Sequence, residues 1–216
     1  MGIISRFPAG ATEPYIEETY DSYENLIDVK LHGYTKIRGY AFYSCYELAL
    51  TSLPAEITSI GRSAFYSCSS LTLTSLPSGI TSIENLAFYY CSSLALTSLP
   101  NGITSIGYSA FQGCTNLALT SLPNGITMIE WATFQDCSSL ALTSLPSGIT
   151  SIMGQAFDGC TSLTSVTFEG TPESIADSAF ANCNNLTTIN VPWAEGAVAN
   201  APWGAANATI NYGYTG

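Results

Sequence analysis

Apolar residues recur along this chain on a beat of 23. Ile37, Phe42, Cys45 and Leu48 return as Ile60, Phe65, Cys68 and Leu71, then in five further sets that end at Ile175, Phe180, Cys183 and Leu186. No insertion breaks the six intervals. A fixed period of this length marks a solenoid, in which each coil buries its apolar side against its neighbours. Within one period, Leu140–Ile152 reads LALTSLPSGITSI and is followed by Ala156-Phe157 and Cys160. Leu140, Leu142 and Leu145 cluster before the chain-breaking Pro146 and Gly148. Ile149 and Ile152 then suit a short bent strand. The pattern predicts a strand near LALT, a turn at LP-S/N-G, and a second strand near ITSI. Ala156, Phe157 and Cys160, at i, i+1 and i+4, predict a tight helical turn with one buried face. The expected fold class is mainly β with short helical turns, a solenoid capped at both ends.

The flanks differ from the coils. Residues 1–13 read as a tail; Tyr15–Asp21 and Ile27–His32 read as a β-hairpin about the turn 22–25. An exposed first coil needs such a cap. Beyond Leu186-Pro192 the chain turns rich in Ala, Asn, Gly and Trp. Pro192 can open a helix over Trp193–Val198, ended by Pro202. Ala208–Tyr212 alternates as a closing strand, and Trp193 and Trp203 cover the open core. The organisation expected is 1–32 cap, 33–192 seven repeats, 193–216 cap.

The recurring I-x-x-x-x-x-A-F-x-x-C-x-x-L with a downstream L-P resembles the 23-residue leucine-rich repeats of the BspA-like, treponemal class over about residues 33–192. The resemblance implies a right-handed leucine-rich solenoid of a bacterial surface protein that adheres to host or matrix components. One departure matters. The family pattern L-x-x-I-x-L-P is kept at Leu163–Phe168, whereas the middle coils read L-x-L-x-x-L-P, which puts the register of their first strand in doubt. The two flanks are loosely similar to the ends of phage and prophage structural repeat proteins.

Charge narrows the partners. All five basic residues lie at or before Arg62; from Ser63 onward eight acids stand without a Lys or Arg. Nucleic acid and anionic membrane surfaces both require clustered cations, so neither is an expected partner. No apolar run reaches 18 residues, and the first fifteen residues lack the apolar stretch of a secretory signal. An extracellular, cell-surface or phage-particle location follows from the resemblance alone.

Chemistry is sparse. Equivalent cysteines in stacked coils would lie about 4.8 Å apart with parallel side chains, which disfavours disulfides. A ladder of reduced, buried thiols is favoured over disulfides or metal sites, since CxxC pairs and Cys/His clusters are absent. No cofactor or metal is expected. The sole histidine, His32, lies in the hairpin, away from any nucleophile. Glu84 and Glu130 share a coil position but stand two coils apart, side by side on a surface and not across a cleft. No D-x-D-x-D-G calcium loop occurs near Glu169, Glu173 and Asp177. An enzyme is not expected.

Differences between the coils carry the remaining signal. The LALTSLPxGITSI half is nearly constant, including Thr51, Thr74, Thr97, Thr120 and Thr143. Variation gathers around the Ala-Phe pair and is rich in Tyr and Trp, residues that give large contact area at low entropic cost. The expected contact set is Tyr43, Arg62, Tyr66, Tyr89, Tyr90, Tyr108, Trp131 and Gln135. Neutral surface drift is the competing reading; it leaves the constancy of the threonines to strand propensity. The expected function is a non-catalytic binding module for a protein or carbohydrate ligand. The alternative is a structural spacer with no ligand of its own.

Overall fold

A computed structural model describes residues 2–5, as backbone, and 14–216. Strands β1 (Gly2–Ser5), β2 (Tyr15–Tyr20) and β3 (Leu26–His32) form an antiparallel sheet in the order β1-β2-β3. The expected tail therefore supplies a strand at 2–5; its residues 6–13 lie outside the described residues. Asp21 sets the hairpin turn. Its Oδ1 accepts the backbone N–H groups of Tyr23 and Asn25 at 2.8 and 2.9 Å. A bond from the Asn25 side chain, then those from the backbone, hold its carboxyl below the ordinary carboxylate value. The hairpin joins the first coil through Ala49 N–H to the Ile27 carbonyl at 2.9 Å.

The expected ITSI strands are present in every coil, two residues each. They are β4 (Lys36–Ile37), β5 (Ser59–Ile60), β6 (Ser82–Ile83), β7 (Ser105–Ile106), β8 (Met128–Ile129), β10 (Ser151–Ile152) and β12 (Ser174–Ile175). They pair in parallel as two sheets, β4-β5-β6-β7 and β8-β10-β12, with Ile60 against Ile83 and Ile152 against Ile175, so the register equals the sequence period. On the other side of the coils lies a further parallel sheet, in the order β14-β13-β11-β9. It comprises β9 (Ser144–Leu145), β11 (Ser165–Phe168), β13 (Thr188–Asn190) and β14 (Thr209–Asn211).

That sheet does not reach the earlier coils. A strand near LALT was expected in each, but between residues 48 and 122 the LALTSLP segments are irregular. The spacing explains why. Val166 and Phe168 bury one strand face two residues apart, next to the turn. Leu71, Leu73 and Leu76 are also all buried, yet their spacing of two and then three cannot be met by one extended face. One inter-coil bond survives per coil, such as Ala95 N–H to the Leu73 carbonyl at 3.2 Å.

The core is a set of files running along the stack. Phe42, Phe65, Phe88, Phe111, Phe134, Phe157 and Phe180 stack face to face, with ring centroids 5.0 to 5.7 Å apart. Beside them run the cysteines, all unpaired; Cys68 to Cys183 are buried and Cys45 is half-buried. Each buried thiol donates to the phenylalanine carbonyl of the preceding coil, as Cys91 Sγ does to the Phe65 oxygen at 2.9 Å. The expected ladder of reduced thiols is thus what the structure holds. Trp203 closes the phenylalanine file. It follows Phe180 by 23 residues, is fully buried, and its carbonyl accepts the Phe180 N–H at 2.9 Å. Trp193 packs edge-on to Phe168 at 5.2 Å. The helix expected over 193–198 does not form; Gly196 at φ 83° breaks it, and the segment is a run of turns.

Candidate functional site

The variable residues sit on the turns that carry Ala-Phe, and these turns are not helical. Two residues in nearly every coil are left-handed: the one before the alanine (Ser63, φ 52°; Leu86, φ 60°) and the one before the cysteine (Ser67, φ 57°; Tyr90, φ 54°). The expected helical turn is therefore replaced by alternating conformations. Alternate amides turn outward along the stack: Phe65 N–H reaches the Ala87 carbonyl at 2.8 Å, and Ser67 N–H the Tyr89 carbonyl at 2.6 Å. The amides between them close i to i−3 turns, such as Tyr66 to Ser63 at 3.2 Å. Because every coil repeats this path, one position becomes one straight row of side chains.

Two such rows flank the buried Ala-Phe core. The first holds Tyr43, Tyr66 and Tyr89, stacked at 4.6 Å and nearly parallel. Tyr90 meets Tyr89 edge-on at 4.6 Å, and Tyr40 lies tilted against Tyr43 at 5.8 Å. Burial, then the neighbouring Tyr43 phenol, pushes Tyr66 up; burial, then Tyr66, does the same for Tyr89. Stacked rings offer edges and hydroxyls outward, and Tyr43 and Tyr90 remain about half exposed. Farther along this row Gln135 Nε2 donates to Asp158 Oδ2 at 3.2 Å. Asn182 donates to the other oxygen at 2.8 Å. Burial, then the Asp158 charge, pushes the exposed Asp136 carboxyl up.

The second row holds Arg62, Asn85, Tyr108 and Trp131. The Arg62 guanidinium lies 6.0 Å over the Tyr108 ring. Trp131 is 49% exposed. Beside this row Glu84 accepts the Arg62 backbone N–H on Oε2 at 2.9 Å. The carboxylates of Glu84 and Glu130 do not continue a flat surface, as their spacing suggests. Gly107 stands between them, and the three residues line an open cleft of about 500 Å³ with Arg62 and Asn85. Only glycine fits there: a Cβ at 107 would stand 2.2 Å from Asn85 Oδ1, which accepts the Tyr108 N–H at 3.1 Å.

Of the eight residues expected to form a site, Tyr43, Tyr66, Tyr89 and Tyr90 come together in one cluster. Arg62 and Tyr108 meet in the other row with Trp131, while Gln135 is engaged by Asp158. Tyr40 and Tyr46, each 56% exposed, were overlooked. Tyr46 was legible: the same position in later coils holds Ser69, Ser92, Thr115, Ser138, Thr161 and Asn184. His32 is structural, stacked on Tyr15 at 4.3 Å and 3.3 Å from Glu17 Oε1. Among the described residues, no group of three His, Cys, Asp or Glu could hold a metal, and no helix is long and apolar enough to cross a membrane.

A family model described as the BspA type leucine-rich repeat region (6 copies) matches residues 35–152 and 81–197. The chain belongs to this family. The fold of this BspA-type chain is that of the T. pallidum leucine-rich repeat protein, with a TM-score of 0.62 and 26% identity over 83% of this chain and 90% of that one. A leucine-rich cell surface protein from Faecalibacterium prausnitzii A2-165 also aligns, at TM-score 0.40 and 26% identity over 84% of this chain and 64% of that one. A leucine-rich repeat protein from Bacteroides ovatus ATCC 8483 aligns at TM-score 0.49 and 18% identity, over 97% of this chain and 75% of that one. No curated protein matches.

Proposed function

We propose that this BspA-type chain is a non-catalytic binding module of a bacterial cell-surface or phage structural protein, recognising a protein or a glycan through its aromatic edge. In this reading residues 1–32 and 193–216 cap a recognition array at 33–192. The supporting observation is the placement of Tyr43, Tyr66, Tyr89, Tyr90, Tyr108 and Trp131 on two rows of one edge, while the near-constant threonines 51, 74, 97, 120 and 143 are exposed elsewhere on the coils. Exposed aromatics backed by a rigid core are what a recognition surface requires. Catalysis has little to work with: the lone His32 is tied to the hairpin, and the buried thiols are held protonated.

The test pairs a glycan array with a panel of purified surface proteins. Each hit is measured again with the double substitution Tyr108→Ala, Trp131→Ala and with Thr97→Ala as control. The double variant is expected to melt within about 2–4 °C of the parent, since neither side chain belongs to the buried core, and to lose binding; Thr97→Ala keeps it. If nothing binds, and the chain instead associates end to end in solution, it is a spacer and this reading is wrong.

A further inference from the structure

Resting on that reading, the structure allows the partner chemistry to be narrowed. The second row already contains one cation seated on an aromatic ring, Arg62 over Tyr108. One coil farther stands Trp131, with no ring partner among the described residues and with half its surface in solvent. No Lys or Arg follows Arg62 in the chain, so no residue of the array can do for Trp131 what Arg62 does for Tyr108. Two carboxylates belong to the turn that carries it. Glu130 precedes Trp131, and no donor or cation meets its side chain among the described residues. Asp136 closes the same turn, also without a donor, and is crowded by the Asp158 charge. The cleft beside them is lined by Arg62, Glu84 and Glu130. One cation against two carboxylates leaves a negative charge uncompensated.

We propose that the Glu130–Trp131 turn and the adjoining Glu84–Gly107–Glu130 cleft bind a basic side chain, Arg or Lys, presented by a partner protein. The indole receives the cation on its ring, and Glu130 accepts from the guanidinium or ammonium. The open cleft, lined beside its carboxylates by Ile83 and Ile106, takes the aliphatic stem, which needs apolar contact and little volume. Charge complementarity selects this occupant over a neutral glycan, which would leave Glu130 without a counter-charge. It also agrees with the chain's net charge of −11, which steers basic partners toward it.

Trp131 supplies its own probe, because the other two tryptophans are 6% and 0% exposed. Blocked peptides containing two arginines, two lysines or two glutamates, together with a neutral oligosaccharide, are titrated against the full chain by Trp131 emission and calorimetry. The arginine and lysine peptides are expected to bind and to weaken several-fold between about 20 and about 200 mM salt. Glu130→Gln is expected to weaken them about tenfold, and Trp131→Ala, read by calorimetry, to abolish binding. Glu169→Gln removes a distant exposed charge and is expected to change nothing. Equal losses from Glu130→Gln and Glu169→Gln would reduce the effect to net charge and overturn the proposal. Binding of the oligosaccharide but not the basic peptides would overturn it and leave the recognition edge standing. Failure of every ligand here, and of the surface-protein panel, would remove both.

Discussion

Six cysteines of this chain each do two jobs. The sulfur of Cys114 fills a fully buried position and its proton goes to the Phe88 carbonyl at 3.0 Å, which also accepts the Cys91 N–H at 3.1 Å. Cys45 has no preceding coil to bond, and its Sγ lies 4.0 Å from the Tyr43 carbonyl at a half-exposed site. Burial pushes Cys68 and Cys183 up to about 12, from an ordinary value of 9.0, and raises the four thiols between them well above that ordinary value too. A folded pKa above the unfolded one means stability that is intact below pH 8 to 9 and is lost as pH rises toward the folded values. Each buried thiol then costs about 1.4 kcal/mol per pH unit above the unfolded pKa. Six acting together should unfold the chain at about pH 10 to 11 at 25 °C. Circular dichroism melts between pH 7 and 11 check this, and a midpoint that stays level through pH 10.5 would contradict it. The file of cysteines was legible from their equal spacing. Their hydrogen bonds were not, because the acceptor lies 26 residues back, on another coil.

At the scale of the element, the Ala-Phe turn shows why periodicity alone misread a helix. An i, i+1, i+4 burial pattern fits a helical turn, and it fits a path that alternates right- and left-handed residues equally well. Gly113 and Gly159 hint at the second, since glycine accepts positive φ, but Ser67, Tyr90 and Asp136 fill the same position elsewhere. An L-residue held there costs about 1–2 kcal/mol. The outward amides recover it by bonding the next coil, and the turn then delivers Phe to the core. Ser67→Gly should accordingly raise stability by about 1 kcal/mol, seen as a rise of about 2–4 °C in the melting midpoint. Ser67→Val should lower it by more, because a branched Cβ suits the left-handed region poorly. A Ser67→Gly midpoint at or below the parent's would show that the strain is not there. The missing LALT strands follow similar logic: Leu96 and Leu99 are both buried at a spacing no single strand face can supply.

Across the whole molecule, stability is nearly one-dimensional, since each coil contacts chiefly its neighbours. The ends then matter more than their size suggests. Trp203 caps the phenylalanine file, and its Nε1 donates to the Ala199 carbonyl at 2.7 Å. Trp203→Ala is expected to cost about 3–5 kcal/mol locally. Hydrogen exchange should show the loss of protection in β13, β14 and the Cys183 coil, with the coils before Cys114 unchanged. Uniform loss along the chain would mean that the array melts as one unit. The sequence by itself determined the repeat, the coil register, the buried files and the edge where variation collects, because a period of 23 leaves only one way to align stacked apolar positions. Only the tertiary structure decided which varied residues meet. The tyrosine stack, the seat of Arg62 on Tyr108 and the close approach of Asn85 to Gly107 all join residues from different coils. Each depends on left-handed backbone that residue types such as Ser and Tyr do not announce.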